Sequence, residues 1–131
     1  MMIEYVGLAE KVRGGYTVFF PDFPGFGSEG KTLADARKNT HEGLLSHIEL
    51  MIESQEAIPE ATSLDEIMKS KDAKDCIPLC TSIIVPSQKS QRINITMDLA
   101  LIDAIDTVAR AQRKTRSAFL AEAAQYLLAY A

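Results

Sequence analysis

The sequence predicts an α+β protein built from two modules. Three observations carry that reading. The first thirty residues alternate apolar and aromatic stretches with glycine and proline breaks. A helical apolar period then runs from Thr32 to about Glu53. Near the end, a short segment of period two, Arg92 to Met97, leads into two further helical patterns.

Taken in order, Ile3, Tyr5, Val6 and Leu8 mark a first strand. Gly14-Gly15 closes a turn, because glycine accepts the positive φ that tight hairpins need. Tyr16 to Phe20 is aromatic and β-branched, as a central second strand should be. Pro21, Pro24 and Gly25 break it. Phe26 to Glu29 is a short third strand ended by Gly30. Thr32 caps the following helix, with Asp35 three positions on in a capping-box-like pair at the positive end of the dipole. Leu33, Ala36, Thr40, Leu44, Ile48 and Met51 form its sheet-facing stripe.

Residues 54–63 read as a polar loop. Ser63 caps a short helix from Leu64 to Lys69, and Lys69 to Asp75 reads as exposed. Cys76 to Val85 is a fourth strand, started or interrupted at Pro78. Cys76 and Cys80, the only cysteines, share one face of it and read as buried small hydrophobes. Two cysteines with His41 and His47 far off in a helix do not make a metal-site pattern, and no cofactor is expected.

Residues 86–90 are a short linker, so the boundaries are 1–85 and 86–131. In the second module, Arg92, Asn94 and Thr96 share one strand face and Ile93, Ile95 and Met97 the other. Asp98 caps a helix to about Ala111, striped by Leu101, Ile102, Ile105, Val108 and Ala109. Thr115 caps a second helix, whose buried face is Phe119, Leu120, Ala123, Leu127 and Leu128. One strand and two helices bury too little to fold alone. Two copies solve this: their strands pair antiparallel into a ribbon and four helices interlock beneath it.

Hydrophobic residues make up 47% of the 131-residue chain, enough for a packed core. No apolar run nears the ~20 residues that cross a bilayer, and the start does not resemble a signal peptide, which predicts a soluble cytoplasmic protein without a membrane partner. Charge is uneven. Residues 1–75 hold 14 acids against 8 bases, net −6, and residues 76–131 hold 6 bases against 4 acids, net +2. Only the second module suits a phosphate backbone. A two-stranded ribbon fits a major groove, and the polar types of this one, Arg, Asn and Thr, read base edges. The second helix offers its first amides, at Arg116 and Ser117 behind Thr115, to a DNA phosphate.

The run RINITM, DLALIDAIDTVARA, a polar loop and TRSAFLAEAAQYLL resembles the ribbon-helix-helix family of dimeric DNA-binding proteins over about residues 90–130. The resemblance implies that Arg92, Asn94 and Thr96 read bases. That family often has a glycine in the loop before the second helix, where this chain has Arg113 and Lys114. Residues 3–60, with GGYTVFFPDFPGFGSEGKTLADA, resemble the N-terminal domain of HicB-type antitoxins. The matching positions are Gly14, Gly15, Tyr16, Phe20, Pro21, Asp22, Pro24, Gly25, Thr32, Leu33 and Ala36; Phe26 departs from the usual residue after the Pro-Gly pair.

This second resemblance implies a partial ribonuclease-H-like fold without nuclease activity. It implies a small HicA-like toxin partner, an mRNA-cutting ribonuclease, with Asp22, Phe23 and Phe26 on the toxin-facing side. It further implies that the C-terminal module binds operator DNA at the operon's own promoter. A homodimer through the ribbon, or a tetramer if the N-terminal modules pair as well, fits the sequence. The acidic first module suits a basic RNA-binding toxin. Two alternatives stand beside it: a stand-alone repressor whose N-terminal module senses a ligand or assembles dimers, and a metal-dependent nuclease using Glu4, Glu10 and Asp22. Those three carboxylates fall at unrelated phases, so no catalytic residue is assigned.

Overall fold

The computed structural model describes residues 1–129. Among them the chain divides into two compact units, residues 1–86 and 87 onward.

The first unit is a four-stranded antiparallel sheet with helices on both faces. Its strands are β1 (Met2–Val12), β2 (Gly15–Phe19), β3 (Gly27–Gly30) and β4 (Ile77–Ile84), in the order β3-β2-β1-β4. The β1–β2 hairpin turns at Gly14 and Gly15, both with positive φ. β1 is long enough to pair with two neighbours: its end pairs with β2 (Leu8 opposite Phe19) and its beginning with β4 (Met2 opposite Ile84). β2 is interior, as its aromatic, β-branched sequence predicts. β3 begins at Gly27, one residue later than predicted, because Phe26 is held in a turn by its amide bond to Phe23 O. Pro78 is tolerated within β4 because that strand lies at the sheet edge.

Helix α1 (Leu33–Glu53) covers one face. Thr32 caps it, its hydroxyl accepting from the Asp35 amide at 3.1 Å. The predicted stripe is the face that packs: Ala36, Thr40, Leu44 and Ile48 are buried, with Leu33 and Met51 at the margin. They meet Tyr5, Ala9, Val18, Phe20, Phe23, Leu79 and Ile83 in the main core. Two glycines permit the close approach. A Cβ on Gly30 would lie 2.2 Å from Ala36 N, so only glycine lets the first turn of α1 rest on the edge strand. A Cβ on Gly7 would strike the Phe20 ring at 2.8 Å.

The other face was not legible. Lys69 to Asp75 reads as exposed, yet it holds a 3-10 turn (Lys71–Ala73) whose Ala73 is buried. With Ile67 of α2 (Leu64–Lys69), Ala73 covers Val6 and Leu8, and Phe19, Cys76 and Cys80 pack around them. Neither cysteine is fully buried as expected; both are free, half-exposed thiols. Cys76 precedes β4, which begins one residue later, and desolvation pushes both thiols above their ordinary pKa.

The second unit holds α3 (Leu99–Ala111), at the boundaries predicted, and α4 (Arg116–Ala129), which starts after the predicted Thr115 cap. Asp98 caps α3 by accepting from the Ala100 amide at 2.9 Å. Two expectations differ. Residues 91–97 are in neither helix nor ladder, because a strand exists only through hydrogen bonds to a neighbour and the described residues of the unit supply none. No residue of α4 is buried within the chain: Phe119, Leu120 and Ala123 are half-exposed, Leu127 is 70% exposed and Leu128 43%.

Candidate functional site

Each unit carries one candidate surface. In the first, residues 20–26 form two successive turns, with the Phe23 amide bonded to Phe20 O (3.0 Å) and the Phe26 amide to Phe23 O (3.1 Å). The Asp22 carboxylate accepts from both the amide (2.9 Å) and the hydroxyl (2.6 Å) of Thr62. It thus accepts amide bonds as turn aspartates do, but from a residue forty positions on, which pins loop 54–63 to the turn. A second tie is the Tyr5 hydroxyl, donating to Pro59 O at 2.7 Å. Burial, and then the nearby Asp22 charge, raises the Tyr5 pKa.

Of the three residues expected to face a partner, the turn brings Asp22, Phe23 and Phe26 together but does not aim them alike. Phe23 is 2% exposed and stacks edge-on to Tyr5, centroids 4.7 Å apart, so it belongs to the core. Phe26 is half-exposed and lies 5.3 Å from the His47 ring. Asp22 is engaged with Thr62. Thr62, Pro59 and His47 carry no motif of their own; only a turn aspartate in need of donors hinted at them. The alternative carboxylate cluster does not assemble around Asp22. Glu4 and Glu10 sit six residues apart on β1, about 20 Å at the rise of a strand. Among the described residues, no three His, Cys, Asp or Glu side chains gather.

In the second unit, Arg92, Asn94 and Thr96 are exposed, and so are Ile93 (72%) and Ile95 (62%). The loop between α3 and α4 is better fixed than its missing glycine suggested. Arg113 takes the left-handed conformation (φ 57). Its amide bonds Arg110 O at 3.0 Å, and the Lys114 amide bonds Ala109 O at 2.8 Å, which together close a Schellman motif. Thr115 caps α4, accepting from the Ala118 amide at 3.1 Å. The Arg116 guanidinium forks onto Asp106, Nε to Oδ1 at 2.9 Å and Nη2 to Oδ2 at 2.8 Å. This bond holds the Asp106 carboxyl below its ordinary pKa and pushes Arg116 higher. Lys114 pairs with Glu122. Ser117 is exposed beside them.

The comparisons with known proteins decide the family. The family model described as the HicB-like antitoxin of bacterial toxin–antitoxin systems matches residues 5–124. The chain belongs to the HicB-like antitoxin family. Its relatives include a 14.9 kDa protein from the rep–hol intergenic region of Haemophilus phage HP1 (strain HP1c1), 34% identical over 119 residues, covering 88% of this chain and 90% of that one. The crystal structure of the Burkholderia pseudomallei antitoxin HicB is 32% identical and superposes with a TM-score of 0.57, covering 96% of each chain. A chain of a HicA3 and HicB3 toxin–antitoxin complex, 22% identical, shares the fold with a TM-score of 0.53, covering 64% of this chain and 99% of its own. The mixed α+β architecture with its antiparallel sheet is therefore that of HicB structures. Among the described residues of this HicB-like chain, no helix is long and apolar enough to cross a membrane.

Proposed function

We propose that this HicB-like chain neutralises a HicA-like toxin by direct binding and represses its own operon by binding operator DNA, without enzymatic activity of its own. The toxin half rests on the family match over residues 5–124 and on the likeness of fold to a chain of a HicA3 and HicB3 complex. The acidic excess of residues 1–75 supports it, because a toxin that grips RNA is basic and opposite charge speeds encounter. The toxin-facing surface centres on the Asp22–Phe26 turn. Phe26 offers half-exposed aromatic area there, while Phe23 and the Asp22–Thr62 bonds hold the turn in shape.

The DNA half is carried by one observation. Ile93, Ile95, Leu127 and Leu128 are exposed apolar residues in a unit that, among the described residues, buries only Ile105 and Ala109. A second copy covers them if the two 92–97 segments pair antiparallel, isoleucines inward, in a ribbon-helix-helix homodimer. Arg92, Asn94 and Thr96 then line the opposite face, where Arg suits guanine and Asn suits adenine. The amides of Arg116 and Ser117 at the start of α4, behind the Thr115 cap, seat a phosphate.

One experiment separates the two halves. The double variant Arg92→Ala/Asn94→Ala, in the full chain, should lose specific binding to its promoter in gel shifts. Removing one bidentate base pairing costs roughly 1–3 kcal/mol per half-site. The same variant should still rescue cells from the toxin encoded beside it. Unchanged promoter affinity overturns the ribbon assignment. Failure to rescue by wild-type protein overturns the antitoxin reading and leaves the stand-alone repressor.

A further inference from the structure

The α3–α4 turn concentrates the basic residues of the second unit: Arg110, Arg113, Lys114 and Arg116. A turn that faces DNA would be expected to offer all four to phosphates. Two of them are neutralised within the unit, Lys114 by Glu122 and Arg116 by Asp106. The second pair is the more demanding. A planar guanidinium gives two parallel bonds to one carboxylate only when both groups are held in register, and here they join the middle of α3 to the first residue of α4. That bond therefore fixes where α4 begins and which way its first amides point.

We propose that Arg116 is a positioning residue and not a phosphate ligand. Asp106 withholds its charge from the DNA and uses it to aim the phosphate seat formed by the amides of Arg116 and Ser117. The inference rests on the DNA-binding reading above and assigns a role within that same site. Sequence-independent affinity grows with every cation that displaces counterions from the duplex. Keeping Arg116 out of that set lowers the background against which Arg92 and Asn94 must discriminate. The Asp106–Arg116 pair is thus a brake on non-specific binding built into the interhelical turn.

The test is the salt dependence of binding to a random-sequence duplex of about 24 base pairs, followed by fluorescence anisotropy with the full chain. The slope of log K against log salt reports the phosphates neutralised, about 0.9 for each. Asp106→Asn frees Arg116 in both copies of a dimer and should steepen the slope by about 1.8. Asp103→Asn makes the same charge change on the exposed surface of α3, at a side chain with no ion pair among the described residues, and should leave the slope unchanged. Arg116→Ala should keep the wild-type slope, because no phosphate-facing cation is lost, yet weaken binding at every salt concentration, because the seat is no longer aimed.

A slope flattened by about 1.8 in Arg116→Ala makes Arg116 a direct phosphate ligand and overturns the inference. So does an Asp106→Asn slope equal to wild type, or equal steepening by both aspartate variants. Absence of wild-type binding at the lowest salt overturns the inference together with the DNA-binding reading; the other outcomes overturn the inference alone.

Discussion

The sheet unit and the helical unit treat their apolar residues in opposite ways. Around β1 the side chains are buried on both faces: Tyr5 and Ala9 against α1, Val6 and Leu8 against α2 and the 3-10 turn. Among the described residues of the helical unit only Ile105 and Ala109 are buried, and α4 has no buried residue at all. A unit that covers its own core can fold as one chain, whereas one that leaves Leu99, Leu101 and Leu127 at more than half exposure would, in the proposed dimer, draw its stability from association. The proposed dimer thus predicts that packing sets the stability of the first unit and protein concentration that of the second.

The largest expected break in this contrast is Ile95→Lys combined with Leu127→Lys. Charges on the uncovered face should turn the proposed dimer into monomer by sedimentation and lower the helical signal by the share of α3 and α4. The sheet unit should keep its own unfolding transition. A variant that remains dimeric would place the interface elsewhere.

Leu44→Ala attacks the other side. Leu44 is fully buried between α1 and the sheet, so a cavity there should cost about 2–5 kcal/mol. The loss should not vary with protein concentration, and chemical denaturation at two concentrations checks this.

The smallest effect sharpens a similarity. α1 ends as α3 does, in a Schellman motif with a non-glycine residue in the left-handed region: Gln55 (φ 58), with bonds from Gln55 N to Ile52 O and Glu56 N to Met51 O. Such a backbone costs an L-residue roughly 1–2 kcal/mol, so Gln55→Gly should stabilise the sheet unit by about 1 kcal/mol. Arg113→Gly should do the same for the helical unit, read as a shift in its concentration-dependent melting. Destabilisation at either site would show that the side chain outweighs the backbone strain.

Much of the fold was legible because its signals are local. Thr32, Ser63 and Asp98 announce helix starts by side-chain bonds reaching two or three residues ahead. The α1 stripe follows from helical geometry alone. The candidate surfaces were legible in part. The positions of Arg92, Asn94 and Thr96 come from alternation, but the Asp22–Thr62 tie and the Asp106–Arg116 fork join residues forty and ten positions apart. No local pattern encodes a partner chosen by chain folding. Phe23 shows the same limit: its place in a Pro-rich turn suggests exposure, and packing against Tyr5 decides burial.

The sequence by itself determined where helices start and stop, where the hairpin turns, which face of α1 is apolar, and that the last forty residues hold more apolar surface than they can bury. These follow from short-range geometry and period. Only the tertiary structure decided that α2 and Ala73 seal the second sheet face, that Phe23 turns inward, and that Arg116 bonds to Asp106. Each of those is a choice among several chemically acceptable partners, and which one is met depends on how distant segments are brought together in space.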